Sequence, residues 1–247
     1  MENKITQAFI LSAGLGTRLR PLTENTPKVM LPIAFQKPLL EHTILWFKKQ
    51  GINRFVLNLH FFPEKITSYF GDGKKFGVEI VYSDETNEIM GTGGALKNAS
   101  RFLDDNFILF YGDQLQFLDF SQLLNFHNLN SPLATIILKH SEFPKDADLA
   151  EIDPVNKKII AWYKRPHNIE DYKDNIFANT GIYALSKKII DYIPENVFSN
   201  FDADIIPLLV EQGATLYGFP TKEKILDIGS PEKYEIAKKY YLEIVGE

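Results

Sequence analysis

The 247-residue sequence predicts an α/β fold built on a doubly wound, mostly parallel β-sheet. Short apolar runs, of the length of buried strands, alternate with amphipathic helical segments through the first half of the chain. Strands that alternate with helices in this way pair in parallel through right-handed crossovers. Small and charged residues follow several of these runs, at the strand ends where parallel sheets bind their ligands.

The first half contains four predicted strands, at 8–11, 53–59, 77–82 and 107–111, and three predicted helices, at 38–50, 63–70 and 94–103. In the helix 38–50, Leu40, Ile44 and Phe47 share one face and Gly51 follows as a C-cap. The loop after the first strand, the loop at 83–94 and Asp113 all follow strand ends, so we expect them to converge.

The second half is less regular, and we interpret it as a substrate-facing lobe added to the first half within one continuous domain, 1–247. It contains predicted helices at 119–130, 203–212 and 231–244, and predicted strands at 133–139 and 224–228. A hairpin joins strands at 150–153 and 159–163. A further strand, 176–185, is expected to be interrupted at 179–181, where the sequence reads Asn-Thr-Gly.

Composition excludes several classes of function. The chain has no cysteine, which excludes disulfides, thiolate metal sites and cysteine nucleophiles. Its net charge is −5, so we expect neither nucleic acid nor an anionic membrane as a partner. The first seven residues are polar, and no apolar run approaches the roughly 20 residues of a membrane span. These observations favour a cytoplasmic protein.

The first strand ends in a loop suited to a polyanion. Four small residues, Ser12, Ala13, Gly14 and Gly16, follow Leu11, so ligand atoms can approach the backbone closely. Arg18, Arg20 and Lys28 add cations on what we expect to be an exposed loop. Exposed N–H groups together with these cations predict a triphosphate site. The loop is neither a Walker A motif nor a dinucleotide fingerprint, because both consensus patterns fail here.

Five motifs, in matching order along nearly the whole chain, resemble those of the sugar-1-phosphate nucleotidylyltransferases, or NDP-sugar pyrophosphorylases. They read Gly14-Leu-Gly-Thr-Arg-Leu-Arg-Pro-Leu-Thr23 with Pro27-Lys28, Gly91-Thr-Gly-Gly-Ala-Leu96, Gly112-Asp113, Asn179-Thr-Gly-Ile-Tyr183 and Asp227-Ile-Gly-Ser-Pro-Glu232. The resemblance implies a Rossmann-like nucleotide-diphospho-sugar transferase fold. Its nucleotide-binding half would be about 1–118 and its sugar-binding half about 119–230, with a C-terminal helix at 231–247.

The resemblance also implies the reaction of an NTP with a sugar 1-phosphate, giving an NDP-sugar and pyrophosphate. Arg18, Lys28 and Asp113 would be catalytic, and Asp113 with Asp227 would hold Mg²⁺ or Mn²⁺. Nucleotide contacts would come from Leu11, Ser12, Ala13, Gly14, Gly16, Thr17, Arg18, Glu85, Thr86, Glu88, Gly91 and Thr92. Substrate contacts would come from Gly112, Lys164, Arg165, Asn179 and Thr180.

Two positions depart from the family pattern. Tyr111 stands where relatives usually carry Asn before Gly-Asp, and Lys164-Arg165 stands where they carry Glu-Lys. Arg165 can clamp a phosphate through two N–H groups. Lys164 cannot accept hydrogen bonds from sugar hydroxyls as a glutamate would.

The carboxylates of the 83–94 loop suit the adjacent N–H donors of guanine, so GTP is favoured, as in mannose- or heptose-1-phosphate guanylyltransferases. A thymidylyl- or uridylyltransferase acting on a glucose-type or amino-sugar 1-phosphate is the alternative. A non-catalytic regulatory subunit and an NDP-sugar-using glycosyltransferase also stay open. We expect a monomer or a homodimer.

Overall fold

A computed structural model describes residues 4–141, 143–169 and 174–245. The chain divides into two compact units. The first unit contains Thr6–Ile89, Tyr111–Leu118 and the segment from Glu223 onward. The second unit contains Met90–Phe110 and Asp119–Lys222, together with residues 4–5. The predicted single domain and its boundaries near 118 and 230 stay predictions.

The elements follow in chain order. The strands are β1 (Gln7–Leu11), β2 (Pro32–Ala34), β3 (Lys37–Pro38), β4 (Arg54–Leu59), β5 (Glu79–Asp84), β6 (Asn106–Tyr111), β7 (Gln114–Gln116), β8 (Ala134–Lys139), β9 (Leu149–Ile152), β10 (Ile159–Tyr163), β11 (Ile176–Ser186), β12 (Leu216–Thr221) and β13 (Ile225–Asp227). The α-helices are α1 (Leu39–Lys49), α2 (Pro63–Phe70), α3 (Gly91–Asn98), α4 (Ser121–Asn130), α5 (Ile206–Glu211) and α6 (Pro231–Val245).

The first unit contains three of the four predicted parallel strands, β1, β4 and β5, whereas β6 lies in the second unit except for Tyr111. β1 pairs with β4 and β4 pairs with β5, both in parallel. The α1 residues Leu40, Ile44 and Phe47 are fully buried, as their shared face predicts. Phe47 packs edge-on against Phe55 of β4, with the ring centroids 6.2 Å apart. Helix α1 thus covers the sheet through the face that the sequence predicts.

The second unit is mainly antiparallel. β11 pairs antiparallel with β8 and β9, and β9 forms the predicted hairpin with β10. β12 pairs in parallel with β8. The sequence does not predict β12, because Gly218 and Pro220 interrupt its apolar pattern. A β-carbon at Gly218 would lie 2.6 Å from Ile152 Cγ2 and from Leu138 Cδ1, so close packing requires glycine there.

Several boundaries differ from the prediction. Helix α3 begins at Gly91, three residues earlier than expected. β11 is continuous, although its register against β8 shifts between Asn179 and Tyr183 and Gly181 takes a φ of 76°. The predicted helix 203–212 begins as a π-helix, Phe201–Ile205, before α5.

None of the helices in the described ranges is long and apolar enough to cross a membrane.

A buried histidine links α4 to the sheet of the second unit. The Nδ1 atom of His127 lies 3.0 Å from the Thr135 hydroxyl on β8. Its Nε2 atom is buried without a hydrogen-bond partner. Burial lowers the pKa of this imidazole from its ordinary value of 6.5 to about 4. The folded protein therefore holds His127 neutral at neutral pH.

This histidine predicts a loss of stability in acid. Between pH 6.5 and 4, the imidazole of His127 binds a proton in the unfolded chain but not in the folded protein. The contribution of neutral His127 to the unfolding free energy is therefore at its full value above pH 6.5 and falls as the pH drops. From pH 7.5 to 5, wild type should lose about 2 kcal/mol more unfolding free energy than His127→Asn, which cannot titrate. Urea unfolding of both proteins at the two pH values measures this, and equal losses would contradict it.

Candidate active site

The loop after β1 is fixed at both ends by hydrogen bonds within the first unit. The Ser12 N–H donates to Asn58 Oδ1 at 2.6 Å, and the Ser12 hydroxyl donates to the Asn58 carbonyl at 2.5 Å. At the other end, the Thr23 hydroxyl donates to the Gly16 carbonyl at 2.7 Å. Gly16 has a φ of 62°, which favours glycine. Gly14, between these anchors, is exposed with open space beside its Cα.

The two predicted catalytic cations differ in exposure. Arg18 is exposed on the short 3₁₀ turn Thr17–Leu19, and the fully buried Leu19 side chain anchors that turn. Lys28 is only 8% exposed, so the expectation that both cations lie on an exposed loop is wrong for Lys28. Its ammonium lies 2.6 Å from Asp113 Oδ2. A buried ammonium needs such a partner, because desolvation without one is costly.

Strand pairing brings the two predicted metal ligands to neighbouring backbone positions. β13 pairs antiparallel with β7, and Asp227 lies opposite Gln114. The Ile228 N–H donates to the Asp113 carbonyl at 2.9 Å. Asp113 and Asp227 therefore stand on adjacent segments, as the sequence predicts for two acidic residues at strand ends. Their role as ligands stays a prediction.

The Asp227 carboxylate lies among cations. It accepts hydrogen bonds from the Gly229 N–H at 2.9 Å and from Lys233 Nζ at 2.8 Å. Burial by itself raises the pKa of Asp227, but these hydrogen bonds and the charges of Lys233 and Lys28 outweigh it and lower the pKa. A β-carbon at Gly229 would lie 2.7 Å from Asp227 Oδ1 and 3.2 Å from Arg18 Nη2. Arg18 therefore lies close to Asp227.

Close packing requires glycine at position 112. Its N–H donates to the Leu11 carbonyl at 3.0 Å, which places Asp113 beside the end of β1. A β-carbon here would lie 2.6 Å from that carbonyl oxygen and 3.1 Å from Val29 Cγ1. Only glycine fits at this distance from backbone. The predicted substrate contact of Gly112 stays a prediction beside this structural role.

The three residues predicted to recognise the base differ in environment. Glu85 is 4% exposed, and its Oε1 atom accepts a hydrogen bond from Asn58 Nδ2 at 3.0 Å. Thr86 and Glu88 are exposed. The Thr86 N–H donates to Asp84 Oδ1 at 2.8 Å, which forms a tight turn after β5. Glu88 is therefore the exposed carboxylate of this predicted set.

In the second unit, the glycines that begin α3 accommodate the chain's own backbone. The N–H groups of Gly93 and Gly94 donate to the Ser199 carbonyl at 2.8 and 3.2 Å. A β-carbon at Gly91 would lie 2.4 Å from the same oxygen, and Gly91 also has a φ of 72°. The Thr92 hydroxyl accepts from the Phe201 N–H at 2.8 Å. Packing of segment 197–201 thus explains these small residues, and the base contacts of Gly91 and Thr92 stay predictions.

The predicted sugar-binding residues of β11 are held by internal hydrogen bonds. Asn179 Nδ2 donates to the Tyr183 hydroxyl at 2.7 Å, and Asn179 Oδ1 accepts from the Gly181 N–H at 3.0 Å. The Tyr183 hydroxyl donates in turn to Asp202. The Thr180 side chain is buried and donates to the Ile137 carbonyl at 2.7 Å. Thr180 therefore directs its hydroxyl toward the neighbouring strand.

Lys164 and Arg165 also have protein partners. Lys164 Nζ lies 3.4 Å from the Ala203 carbonyl of the π-helix, and Lys164 is exposed. The Arg165 N–H donates to Asp148 Oδ1 at 2.8 Å, and its Nη1 donates to the Asp146 carbonyl at 2.8 Å. The Arg165 side chain remains 55% exposed, so donors remain for a phosphate.

Within each unit, several residues outside the predicted set hold predicted site residues in place. Asn58 carried a detectable signal, since it is the polar residue inside the apolar strand β4. Ser199, Asp202 and Asp148 lie in irregular sequence and carried no comparable signal.

The two carboxylates are compatible with a divalent metal ion. Within the described residues, no cluster of three or more acidic, histidine or cysteine side chains forms a metal cage. Mg²⁺ is commonly held by one or two carboxylates, with water and substrate phosphates completing its octahedron. The Asp113 and Asp227 side chains are 37% and 49% exposed. Both carboxylates are therefore partly accessible to solvent.

Known proteins resemble this chain over nearly its full length. A UTP–glucose-1-phosphate uridylyltransferase of Synechocystis is 35% identical over 241 residues, covering 92% of this chain and 61% of that protein. A mannose-1-phosphate guanylyltransferase of Mycobacterium tuberculosis is 32% identical, covering 95% and 64%. The chain thus spans under two thirds of both relatives. A D-glycero-alpha-D-manno-heptose 1-phosphate guanylyltransferase of Aneurinibacillus thermoaerophilus is 32% identical, covering 94% and 97%.

A solved protein structure has the same fold as this chain. The crystal structure of HddC from Yersinia pseudotuberculosis superimposes with a TM-score of 0.78 at 27% identity, covering 96% of this chain and 100% of that one. The predicted α/β nucleotide-diphospho-sugar transferase fold is confirmed. The sequence profile of the nucleotidyl transferase family matches residues 7–244. The chain therefore belongs to the nucleotidyl transferase family, the family of the sugar-1-phosphate nucleotidylyltransferases.

Proposed function

We propose that the chain transfers a nucleotidyl group from an NTP to a sugar 1-phosphate, releasing pyrophosphate and forming an NDP-sugar. The observation that carries this proposal is the placement of two cations and two carboxylates around the end of β1. Lys28 lies 2.6 Å from Asp113, and Arg18 lies beside Asp227. Phosphoryl transfer needs little covalent participation by the protein, so positioning and charge neutralisation supply the rate.

Each charged residue has a role in this proposal. The sugar-phosphate oxygen attacks the α-phosphorus of the NTP in line, and pyrophosphate leaves. Arg18 is exposed and binds the β- and γ-phosphates. Lys28 binds the α-phosphate and the incoming phosphate after it releases Asp113. Asp113 and Asp227 would hold Mg²⁺ or Mn²⁺, which would offset charge on the phosphates.

GTP is the favoured nucleotide in this proposal. Glu88 supplies an exposed carboxylate that can accept from the adjacent N–H groups of guanine. Two relatives named guanylyltransferases support this choice, and one of them is matched over 97% of its length. UTP is the second candidate, because the Synechocystis relative is named a uridylyltransferase and is 35% identical.

The direct test measures pyrophosphate release with four NTPs against mannose, heptose, glucose and N-acetylglucosamine 1-phosphates. We expect turnover that requires both substrates, and the highest kcat/KM with GTP. If kcat/KM is highest with UTP or dTTP, GTP is not the preferred nucleotide, but the proposed reaction class is still supported. Absence of turnover across the grid would contradict the proposal.

Loss of either cation should reduce transfer strongly. Arg18→Ala and Lys28→Ala should each lower kcat/KM about a hundredfold, the usual loss for one transition-state charge contact. Arg18→Ala should keep the wild-type melting temperature, because Arg18 is exposed. Lys28→Ala should melt earlier, because it leaves Asp113 without its ion-pair partner. Lys74→Ala, which removes an exposed lysine paired with Asp72, is the matched control. Activity near wild type in folded Lys28→Ala would refute its role.

The carboxylates should make activity depend on a divalent metal ion. A chelator should abolish turnover, and Mg²⁺ or Mn²⁺ should restore it. Asp113→Asn and Asp227→Asn preserve shape but remove charge, and each should lower kcat at least tenfold. Asp72→Asn, in a surface ion pair, serves as the control. If only one substitution lowers kcat, the other aspartate has a structural role instead.

A further inference from the structure

Three buried residues of the first unit form a continuous hydrogen-bonded connection from the end of β5 to the phosphate loop, through side-chain and backbone groups. Ser12, Asn58 and Glu85 are 3%, 3% and 4% exposed. They come from the ends of the parallel strands β1 and β4 and from the residue after β5. The Glu85 N–H also donates to the Leu59 carbonyl at 2.8 Å, which fixes its backbone beside β4.

The two polar groups of Ser12 that could contact a phosphate both make hydrogen bonds within the protein. Its N–H and its hydroxyl donate to Asn58. Ser12 therefore anchors the loop, and the N–H groups that remain for a nucleotide come from the exposed stretch after it. Their direction depends on the two anchors, Ser12 and Gly16, since Gly14 and Leu15 are exposed between them.

The anchor at Ser12 depends on the orientation of one amide. Asn58 must present its oxygen to the Ser12 N–H and its nitrogen to Glu85. A carboxylate only accepts hydrogen bonds, so Glu85 selects the nitrogen end of that amide and directs the oxygen end toward Ser12. With an apolar side chain at position 85, the amide would have no acceptor to fix this orientation.

We propose that Glu85 acts through Asn58 as a positioning residue for the phosphate loop, rather than as a reader of the nucleobase. This inference rests on the proposed function and specifies how its loop is held. It predicts that changes at Glu85 affect every NTP alike, because the triphosphate is common to all of them. It also predicts that the carboxyl and the carboxamide can exchange positions. The hydrogen bonds require an oxygen at position 58 for the Ser12 N–H, and one N–H donor and one oxygen acceptor between positions 58 and 85.

The experiment compares wild type with Asn58→Asp, Glu85→Gln, Glu85→Leu and the swapped double variant Asn58→Asp/Glu85→Gln. Hydrogen–deuterium exchange of residues 12–16 without substrates is measured by mass spectrometry, with β4 amides as the internal reference. Asn58→Asp and Glu85→Leu should exchange at least tenfold faster at Ser12. Glu85→Gln and the swapped variant should exchange within threefold of wild type. Thr43→Val, which removes a buried hydrogen bond in α1, is the control and should leave the loop unchanged.

Kinetics then separates positioning from base recognition. Glu85→Leu should lower kcat/KM about tenfold for GTP and UTP equally, and the swapped variant should restore most of it. A tenfold change in the GTP-to-UTP ratio in Glu85→Gln would overturn the proposal in favour of base recognition. Unchanged exchange in Glu85→Leu, or an unfolded or fast-exchanging swapped variant, would overturn it as well. If wild type shows no turnover, the proposed function is wrong. Hydrogen–deuterium exchange still tests whether Glu85 positions the loop.

Discussion

The ion pair between Lys28 and Asp113 is the interaction on which the candidate site depends. Its two atoms lie 2.6 Å apart and come from residues 85 positions apart. The Gly112 N–H donates to the Leu11 carbonyl, which places Asp113 beside the end of β1. Lys28 is nearly buried, so its charge is stable only with a carboxylate or a phosphate beside it. In the proposed reaction, an arriving phosphate would replace Asp113 as the partner of Lys28.

The sequence predicted the first unit well because its signals are local. Alternating apolar runs predicted β1, β4 and β5, and charged residues after strands identified Lys28 and Asp113. The sequence predicts a nucleotide contact for Gly91, but the glycines of α3 also accommodate the Ser199 backbone, more than a hundred residues later. No local pattern encodes that contact. The sequence does not predict β12, because Gly218 and Pro220 interrupt its apolar pattern. The three-residue strand β7 is defined by its pairing with β13, which no local pattern encodes.

The residues that hold the loop after β1 differ from the residues that it exposes. Ser12 and Glu85 were both predicted to bind nucleotide, and both are buried among their own hydrogen-bond partners. Gly14 and Arg18 are exposed and remain available to a triphosphate. This division is usual in phosphate sites, where a rigid supporting set of hydrogen bonds fixes the few groups that face the ligand.

In the proposed reaction, the nucleotidyl group with its α-phosphate moves to the sugar phosphate, and the two terminal phosphates leave together. Parallel reactions with α-³²P-GTP and γ-³²P-GTP, with mannose 1-phosphate as acceptor and separation of products by chromatography, test it most directly. The account predicts that the α-label appears in a sugar nucleotide and the γ-label in pyrophosphate, in equal amounts. A γ-label on the sugar or in inorganic phosphate, in the absence of a pyrophosphatase, would contradict it.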